Sequence, residues 1–490
     1  MLDMIAKSAC HVWPEKTCHE RLPMNCGMTL QSPSSRISRL GSAAWCACAV
    51  TMLSLAWHGD AHAQMGGMGM GFGGAVGGIS IDADGIVRNL DPRAVESLAK
   101  ERREVLAGGA AARGAASKLR KVSLAKIVAA VKAATTGRPL PPDVLFLGGL
   151  ERITHVFIDT EGHDIILAGP ADALTVDAAG NVVAVTSGRP VLQLEDMVVA
   201  LRAIDAARAG GIKCSIDPTA EGIARLQAFL RTQKTIGQNP DAMLVAMQNA
   251  VGPQQVTVGG VPGDSRFARV LVAADYHLKR VGMGLEPSGI TELPSYLSMV
   301  PPGATAATTL PRFWLEADFE PISRDPDELA WRINGRRMKC LTENDLFDAK
   351  GGRTAKAAPD ANARRWCDLM TTNYDRLAGK QPAFAELVNC VDLAVVAALV
   401  HGRQLAGRAG LDLAPLLDAK ALPLPSYDVP TSVPTVAHGM KKGSRWVVSA
   451  SGGVLFQPWG FAANTADSAD IAESRTAALA ARPADGWWWD

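Results

Sequence analysis

Ionisable side chains crowd the stretch GDSRFARVLVAADYHLKRVGMGLEP, residues 263–287. The ionisable residues at its centre are Asp275, Tyr276, His277, Lys279 and Arg280. A carboxylate, an imidazole and an amine held close together could serve general acid–base catalysis. The same residues are also typical of the solvated face of a helix.

Helical geometry favours the second interpretation. The apolar residues of the stretch share one sector of a helix: Phe267, Val270, Leu271, Ala274, Leu278 and Val281. Asp275 and His277 are two residues apart, so they project about 200° apart and cannot form a pair, whereas Asp275 faces Lys279 one turn later. We therefore predict an amphipathic helix, capped by Asp264 or Ser265 and ended by Gly282 and Gly284, with its charged residues on the surface.

The segment before this part of the chain has the pattern of a signal peptide. Basic SRISRLGS precedes the apolar run AAWCACAVTMLSLAW, and HGDAHAQ then offers small residues for cleavage after Ala63. The apolar run is shorter than the roughly 20 residues that span a bilayer. We expect residues 1–63 to be a leader whose true start is Met28, and the remainder to be exported to the periplasm, the envelope or the extracellular space without a membrane span.

The charge balance argues against two classes of partner. The chain has 50 Lys or Arg and 49 Asp or Glu residues, and the leader holds five and four of them. The part after Ala63 is therefore neutral, with no basic field to attract nucleic acid or anionic lipid. We predict no nucleic-acid partner.

Cysteines and histidines give no clear metal site. The leader cysteines and histidines do not have zinc-finger spacing. Four cysteines follow it: Cys214, Cys340, Cys367 and Cys390. In an oxidising compartment they allow up to two disulfides in three connectivities, and otherwise they are small core residues. His155 and His163 flank a predicted turn, and their offset puts them on opposite faces, so we predict no metal and no cofactor.

Three segments repeat an apolar residue, Asp, two residues and Gly: ISIDADGIV (79–87), VFIDTEGHD (156–164) and LTVDAAGNVV (174–183). Asp initiates a turn and Gly supplies a positive φ, so each segment predicts a β-hairpin. The composition of the first lacks the further oxygen ligands of a calcium loop. WVVSASGGVLF (446–456) is a weaker fourth hairpin, and Asn334–Gly335 within 329–341 gives the strongest two-residue turn signal.

Helical patterns lie between these hairpins. They are predicted at 194–208, at 217–231 with Asp217 as cap and Pro218 at the first turn, and at 384–400, where the pattern is apolar nearly all round. The mixture without a regular βαβ rhythm predicts an α+β fold of two or three subdomains. We expect a Gly/Met-rich linker at 64–78, an N-terminal α+β domain at 79–300, a C-terminal α+β domain at 301–465 and a loose tail at 466–490, whose Trp487–Trp489 are exposed or form a docking patch.

Long blocks of the chain resemble a known family. These are the 263–287 stretch, GLERITHVFIDTEGHDIILAGPAD, SGRPVLQLEDMVVALRA and CSIDPTAEGIARLQAFL. They are similar to an uncharacterised family of exported proteins of planctomycete-type bacteria, a domain of unknown function (number 1598), and the likeness runs from about residue 92 to about residue 460. The resemblance implies export, but it implies no activity, catalytic residue or ligand.

Two functions remain open from the sequence. The mature chain lacks G-x-S-x-G, H-E-x-x-H, G-x-x-x-x-G-K-[ST] and C-x-x-C motifs. We expect a non-catalytic envelope or extracellular binding or structural protein, whose partner is an unknown protein or envelope ligand. The alternative is an exported hydrolase that assembles its site from distant Ser and Asp residues and from His155, His163, His277, His401 or His438. The catalytic residues of such a site stay unknown.

Overall fold

Helices and strands mix without a regular βαβ alternation, which confirms the predicted α+β class. The computed structural model describes residues 76–107, 114–135, 137–232, 240–300, 309–347, 353–357, 361–438, 451–484 and 486–490. The predicted leader and residues 64–75 of the predicted linker lie outside these ranges.

The helices of the described residues are α1 (Pro92–Leu106), α2 (Leu124–Ala134), α3 (Pro142–Leu145), α4 (Leu194–Arg202), α5 (Ile204–Gly210), α6 (Ala220–Thr232), α7 (Pro240–Val251), α8 (Arg266–Met283), α9 (Tyr296–Met299), α10 (Ala361–Thr372), α11 (Tyr374–Ala378), α12 (Pro382–Gly402), α13 (Leu405–Ala409), α14 (Ala414–Leu417), α15 (Pro458–Ala463) and α16 (Asp470–Ala480). The strands are β1 (Ile79–Ile81), β2 (Val87–Asn89), β3 (Ser117–Ser123), β4 (His155–Asp159), β5 (Asp164–Ala171), β6 (Leu174–Val176), β7 (Val182–Ala184), β8 (Ile212–Pro218), β9 (Gln254–Gly259), β10 (Thr309–Asp318), β11 (Ile322–Arg324), β12 (Ala330–Arg332), β13 (Arg337–Phe347), β14 (Arg353–Ala357), β15 (Ser432–Val433), β16 (Ser451–Phe456), β17 (Thr465–Asp467) and β18 (Trp488–Trp489).

Two mixed sheets dominate the described residues, each with seven strands there. The first has the order β14-β13-β10-β16-β8-β9-β15, in which β10 and β16 run parallel. The second has the order β17-β11-β12-β4-β5-β3-β18, in which β11 and β17 run parallel. Each sheet takes strands from before and after residue 300, so the boundary predicted there does not separate the sheets, and the division into domains stays a prediction.

The three Asp-x-x-Gly segments form the predicted hairpins β1–β2, β4–β5 and β6–β7. In the first, the Asp82 carboxylate accepts hydrogen bonds from the backbone N–H groups of Asp84 and Ile86. In the second, the positive φ of 51° falls on His163 and not on Gly162, because Asp159 pairs with Asp164 and the turn therefore occupies residues 160–163. His163 thus lies in the turn and not on a paired strand, since Ile158 pairs with Ile165.

The Asn334–Gly335 hairpin prediction is wrong. β12 pairs with β4 in the second sheet, and β13 pairs with β10 in the first, so the turn carries the chain from one sheet to the other. The side chain of Arg337 holds this crossing by donating to the carbonyl oxygens of Asn334 at 2.7 Å and Ile333 at 3.0 Å. The residues fix a turn, but they do not fix which strand pairs with which.

Other local predictions need smaller corrections. The helix predicted over 194–208 breaks at Ala203 into α4 and α5. Pro218 ends β8, and Thr219 rather than Asp217 caps α6 by accepting from the Gly222 N–H at 3.0 Å. Residues 451–456 of the fourth predicted hairpin form strand β16. Its preceding residues, including Ser449, lie outside the described ranges.

Two segments predicted to be loose are packed. Val76 is buried at the end of the predicted linker, and Gly77, at φ +58°, lies so close to α8 that a Cβ there would be 2.8 Å from the Ala273 Cβ. At the other end, β18 pairs with β3, and buried Trp489 packs in a cluster with α16 and the second sheet. The expectation of a loose 466–490 tail with exposed tryptophans is wrong, because aromatic side chains at the terminus supply apolar surface that the second sheet buries.

Helix α8 lies in contact with both the first sheet and the buried helix α12. It packs against β8, β16 and β10, and also against α4 and α12. Ser265 caps α8 as predicted by accepting from the Ala268 N–H at 3.1 Å, and Gly284 ends it in the left-handed conformation. Among the described helices, α12 alone has the length and apolar composition that could cross a membrane, and it is buried within this fold as predicted.

Candidate functional site

The ionisable residues of α8 lie inside the fold, and the prediction that they form a solvated helix surface is wrong. Asp275 is 0% exposed, and His277 and Lys279 are also buried, whereas Tyr276 and Arg280 are half-exposed. The first sheet and α12 contact α8 from different directions, so little of its circumference meets solvent. Buried charges require partners, and α8 finds them on neighbouring elements.

The pair Asp275–Lys279 forms as the one-turn spacing predicts. Lys279 Nζ is 2.9 Å from Asp275 Oδ2, and it also donates to the Ile216 carbonyl and, at 3.4 Å, to the Gly452 carbonyl. Burial raises the pKa of Asp275 to about 7, against the opposing charge of Lys279. The pair therefore ties α8 to two strands of the first sheet.

His277 binds different partners from Asp275, as their spacing predicts. Its Nδ1 is 2.9 Å from Glu286 Oε2, and its Nε2 is 2.9 Å from the Gly77 carbonyl oxygen. Both neighbours are oxygen atoms, one from a carboxylate and one from a backbone carbonyl, and the two contacts fix the orientation of the ring. Burial raises the pKa of Glu286, but the hydrogen bond and charge of His277 and the charge of Arg280 outweigh it, so the pKa lies below its ordinary value. His277 thus links the first described residues to the end of α8.

The densest group of buried charges surrounds the first residue of α8. Arg266 forms ion pairs with Asp196 of α4 and Glu386 of α12, and all three side chains are buried. Glu195 and Tyr427 complete the group, which we call the Arg266 cluster. One guanidinium therefore joins three helices that are distant in sequence.

The carboxyl groups of the Arg266 cluster titrate differently. Burial, followed by the nearby charge of Asp196, raises the pKa of Glu195 to about 8. Burial raises the pKa of Asp196 to about 6, although Arg266 lowers it. At pH 7 Glu195 is protonated and Asp196 is mostly ionised. A carboxylic acid beside a carboxylate is a combination that general acid–base catalysis uses.

A proline-rich segment at residues 423–431, without helix or strand, covers this acid. The Tyr427 hydroxyl donates to Glu195 Oε2 at 3.1 Å, and its ring lies 4.8 Å from the Arg269 guanidinium. The segment is fixed to the start of α8, since the Tyr427 N–H donates to the Asp264 carbonyl at 2.8 Å. A substrate would reach Glu195 only after this segment moved. In the conformation observed, the group acts as a structural ion cluster.

A cleft beside α8 is small. Tyr276, Lys279, Arg280 and Met283 line one side of it, and its free volume of about 30 Å³ is room for one water molecule. Lys279 already has three oxygen partners at its inner end. The cleft is therefore large enough for a water molecule, and the Lys279 amine on its wall is already bound to protein oxygen atoms.

The histidines considered for the hydrolase alternative lie in separate surroundings. His155 Nδ1 is 3.0 Å from Thr154 Oγ1, and burial, followed by the charge of Arg332, lowers its pKa to about 4. His163 Nδ1 is 3.1 Å from the Ala409 carbonyl, and His401 packs edge-on against Trp459. Within the described part of the chain, no three His, Cys, Asp or Glu side chains are placed to hold a metal ion.

Sequence reasoning missed the Arg266 cluster. A signal was present, because Glu386 and Asp392 interrupt a helix whose pattern predicts burial all round, and buried acids need paired cations. Asp392 indeed lies 2.9 Å from Arg337 Nε. The identity of each cation could not be predicted, since Arg266 lies 70 residues from Asp196 and 120 residues from Glu386.

The fold and these clusters define an α+β protein whose longest polar helix is braced by buried ion pairs. Residues 214–296, from β8 to the start of α9, match the family model described as Protein of unknown function (DUF1598). The chain is similar to that family over this segment, which contains α8 and the helices α6 and α7. No curated protein and no solved structure matches the chain.

Proposed function

We propose that the chain is an exported, non-catalytic protein that binds a partner protein through α6 and α7, which we call the helical arm. The observation that carries the proposal is the apolar surface of this arm. Leu230 of α6 is 40% exposed and Val245 of α7 is 53% exposed, and Phe229, Met243 and Leu244 beside them are only partly buried. Apolar side chains grouped on a surface mark sites of protein association.

The arm has a small core of its own. Leu226, Met247 and Val251 are buried between the two helices together with Ala437, in a cluster separate from the main core. The Arg225 side chain joins the helices by donating to the Ala250 carbonyl at 2.9 Å. A scaffold that holds two helices together in this way presents their outer faces at fixed positions, which reduces the ordering cost of binding.

The composition of the arm favours a protein partner over a lipid surface. Helix α7 contains no Lys or Arg, and α6 contains only Arg225, which binds the Ala250 carbonyl, and Arg231, whereas helices that lie on anionic membranes are rich in such residues on their polar face. Methionine side chains such as Met243 adapt to the shape of a partner and are frequent at protein-binding surfaces. The partner that fits this surface is a protein with an apolar patch or an amphipathic helix.

Two further arguments support the proposal. Ion pairs of Arg266 join α8 to α4 and α12, and hydrogen bonds from Lys279 to two strand carbonyls join it to the first sheet, a role that explains the burial of these groups without a reaction. The leader pattern supports export. The alternative, an exported hydrolase, would require a histidine to meet a serine and an aspartate, whereas His155, His163 and His277 contact Thr154, the Ala409 carbonyl and Glu286.

The proposal can be tested by measuring how much of the partner protein is recovered with a variant of the helical arm. The double substitution Leu230→Ser and Val245→Ser should reduce recovery of the wild-type partner from the envelope at least tenfold, measured by quantitative mass spectrometry after crosslinking. The matched control is Val185→Ser with Leu417→Ser, which removes two equally exposed apolar residues elsewhere and should leave recovery unchanged. Equal recovery by both variants would refute the arm as the binding surface.

Histidine replacement separates the two functions. Alanine at the five histidines His155, His163, His277, His401 and His438, changed one at a time, should leave partner recovery and the cellular phenotype intact. Loss of the phenotype with a folded single variant that still recovers its partner would favour the hydrolase.

A further inference from the structure

Two of the four cysteines after the leader lie in contact. Cys340 Sγ on β13 and Cys367 Sγ on α10 are 3.5 Å apart, and both side chains are buried. Cys214 on β8 instead lies near Asp275 and Lys279, and Cys390 on α12 lies near Asp196 and Arg266. Of the pairings that the sequence left open, the structure therefore favours Cys340 with Cys367, whose sulfur atoms are already in contact.

Neighbouring contacts hold the two sulfur atoms in this position. Thr371, one turn after Cys367, accepts a hydrogen bond from the Cys340 N–H at 2.9 Å. Trp366 packs on Phe313 with ring centres 4.6 Å apart and donates to the Pro294 carbonyl at 2.9 Å. Helix α10 is therefore fixed against the first sheet on both sides of Cys367. A bond needs the sulfur atoms to approach to about 2.05 Å, which a small side-chain rotation would supply.

We infer that Cys340 and Cys367 form a disulfide in the exported chain, while Cys214 and Cys390 remain thiols. The two thiols lose two protons and two electrons as the Sγ–Sγ bond forms. A small-molecule disulfide such as oxidised glutathione accepts them and leaves as two thiols. The inference rests on the proposed export for its oxidising compartment.

Burial sets the time at which the bond forms. Burial raises the pKa of Cys340, and the neighbouring Cys367 raises it further. Thiolate is the reactive form, so the folded, reduced chain reacts slowly with an external disulfide. The bond therefore forms during folding, as α10 packs on β13 and before the two thiols are fully buried, and it closes a loop that includes β14.

The experiment uses the full chain with the five leader cysteines replaced by serine, refolded from denaturant in a glutathione redox buffer. Alkylation and peptide mapping should show one disulfide-linked pair of peptides, containing Cys340 and Cys367, with Cys214 and Cys390 alkylated. The melting temperature should exceed that of the chain refolded with dithiothreitol by on the order of 5 °C. Two alkylatable thiols at 340 and 367, or a linkage between other cysteines, would overturn the inference.

Alanine variants test whether the Cys340–Cys367 disulfide causes the difference in melting temperature. Cys340→Ala and Cys367→Ala should each abolish the difference between oxidised and reduced melting temperatures, whereas Cys214→Ala, another buried strand cysteine of the first sheet, should retain it. The same mapping on chain recovered from cells separates the two proposals. If the protein is found outside the cytosol with Cys340 and Cys367 both reduced, the disulfide is refuted. If the protein is found in the cytosol but forms the Cys340–Cys367 disulfide on refolding, only the proposed export is refuted.

Discussion

The Arg266 cluster and the helical arm reverse the usual distribution of side chains. In the cluster, charged groups from three helices are buried together, with Arg266 between Asp196 and Glu386. In the arm, Leu230 and Val245 are exposed although their neighbours Leu226 and Met247 form a core. The family match at residues 214–296 includes both Arg266 and the arm.

This difference indicates two distinct roles. Replacing a buried ion pair by apolar residues is often neutral or stabilising, so we infer that the Arg266 cluster contributes specificity, because its charges are paired in the observed packing of α4, α8 and α12. Exposed apolar residues contribute little to folding and favour association. The comparison thus separates residues that fix the fold from residues available to a partner, and stability measurements can test that separation.

The largest effect should follow Arg266→Ala. The substitution leaves Asp196 and Glu386 buried without their cation, so the free energy of unfolding should fall by about 3–5 kcal/mol in urea denaturation. Arg324→Ala is the matched control, because Arg324 also binds two carboxylates, Glu328 and Asp467, but at the surface. It should cost less than about 1 kcal/mol. Equal losses would remove the distinction between the cluster and a surface ion pair.

The next largest effect should be a change in how the free energy of unfolding depends on pH when Glu195 is replaced by glutamine. The pKa of Glu195 is about 8 in the folded chain and near 4.5 when unfolded, so the folded state binds the extra proton and stability falls as pH rises from 4.5 to 8. Glutamine imitates the protonated acid. The variant should equal the wild type at pH 4.5 and exceed it at pH 8 by on the order of 3 kcal/mol. Exposed Glu221→Gln on α6 is the control, and a similar gain there would contradict the assignment.

Part of the fold could be predicted because the signals were local. The three Asp-initiated hairpins, the Ser265 cap and the buried helix α12 follow from turn chemistry and periodicity over fewer than about 20 residues. Pairing over longer distances could not be predicted. The chain bends at Gly335, with φ at 98°, but β12 and β13 pair with strands of different sheets.

The prediction that the ionisable residues of α8 form a solvated surface was wrong for a related reason. Periodicity divides a helix into apolar and polar faces, but it does not say whether a polar face meets water or charged partners on other helices. Asp275 and Lys279 were correctly predicted to pair, yet their burial depends on β8 and β16, which pack against them from distant parts of the chain.

A third effect should be local to the arm. Leu226→Ala leaves a cavity between α6 and α7, where Leu226 is buried, and should lower the stability of the arm by about 2 kcal/mol. Amide hydrogen exchange should accelerate in α6 and α7 while the amides of α8 keep their protection, because the arm core is separate from the main core. Acceleration throughout α8 would show that the arm does not open independently.

The smallest effect on stability should follow the arm variant that is proposed to weaken partner binding. Leu230→Ser and Val245→Ser change side chains that are 40% and 53% exposed in the folded chain. Each substitution therefore removes only part of the apolar contact that a buried side chain would make. The free energy of unfolding should change by less than about 0.5 kcal/mol for each substitution in urea denaturation. Together with the loss of partner recovery, this result would show that the exposed arm residues contribute to binding and not to stability, whereas the Arg266 cluster contributes to stability. A loss of about 2 kcal/mol would instead make the exposed residues part of the arm core, and reduced recovery would then reflect unfolding of the arm.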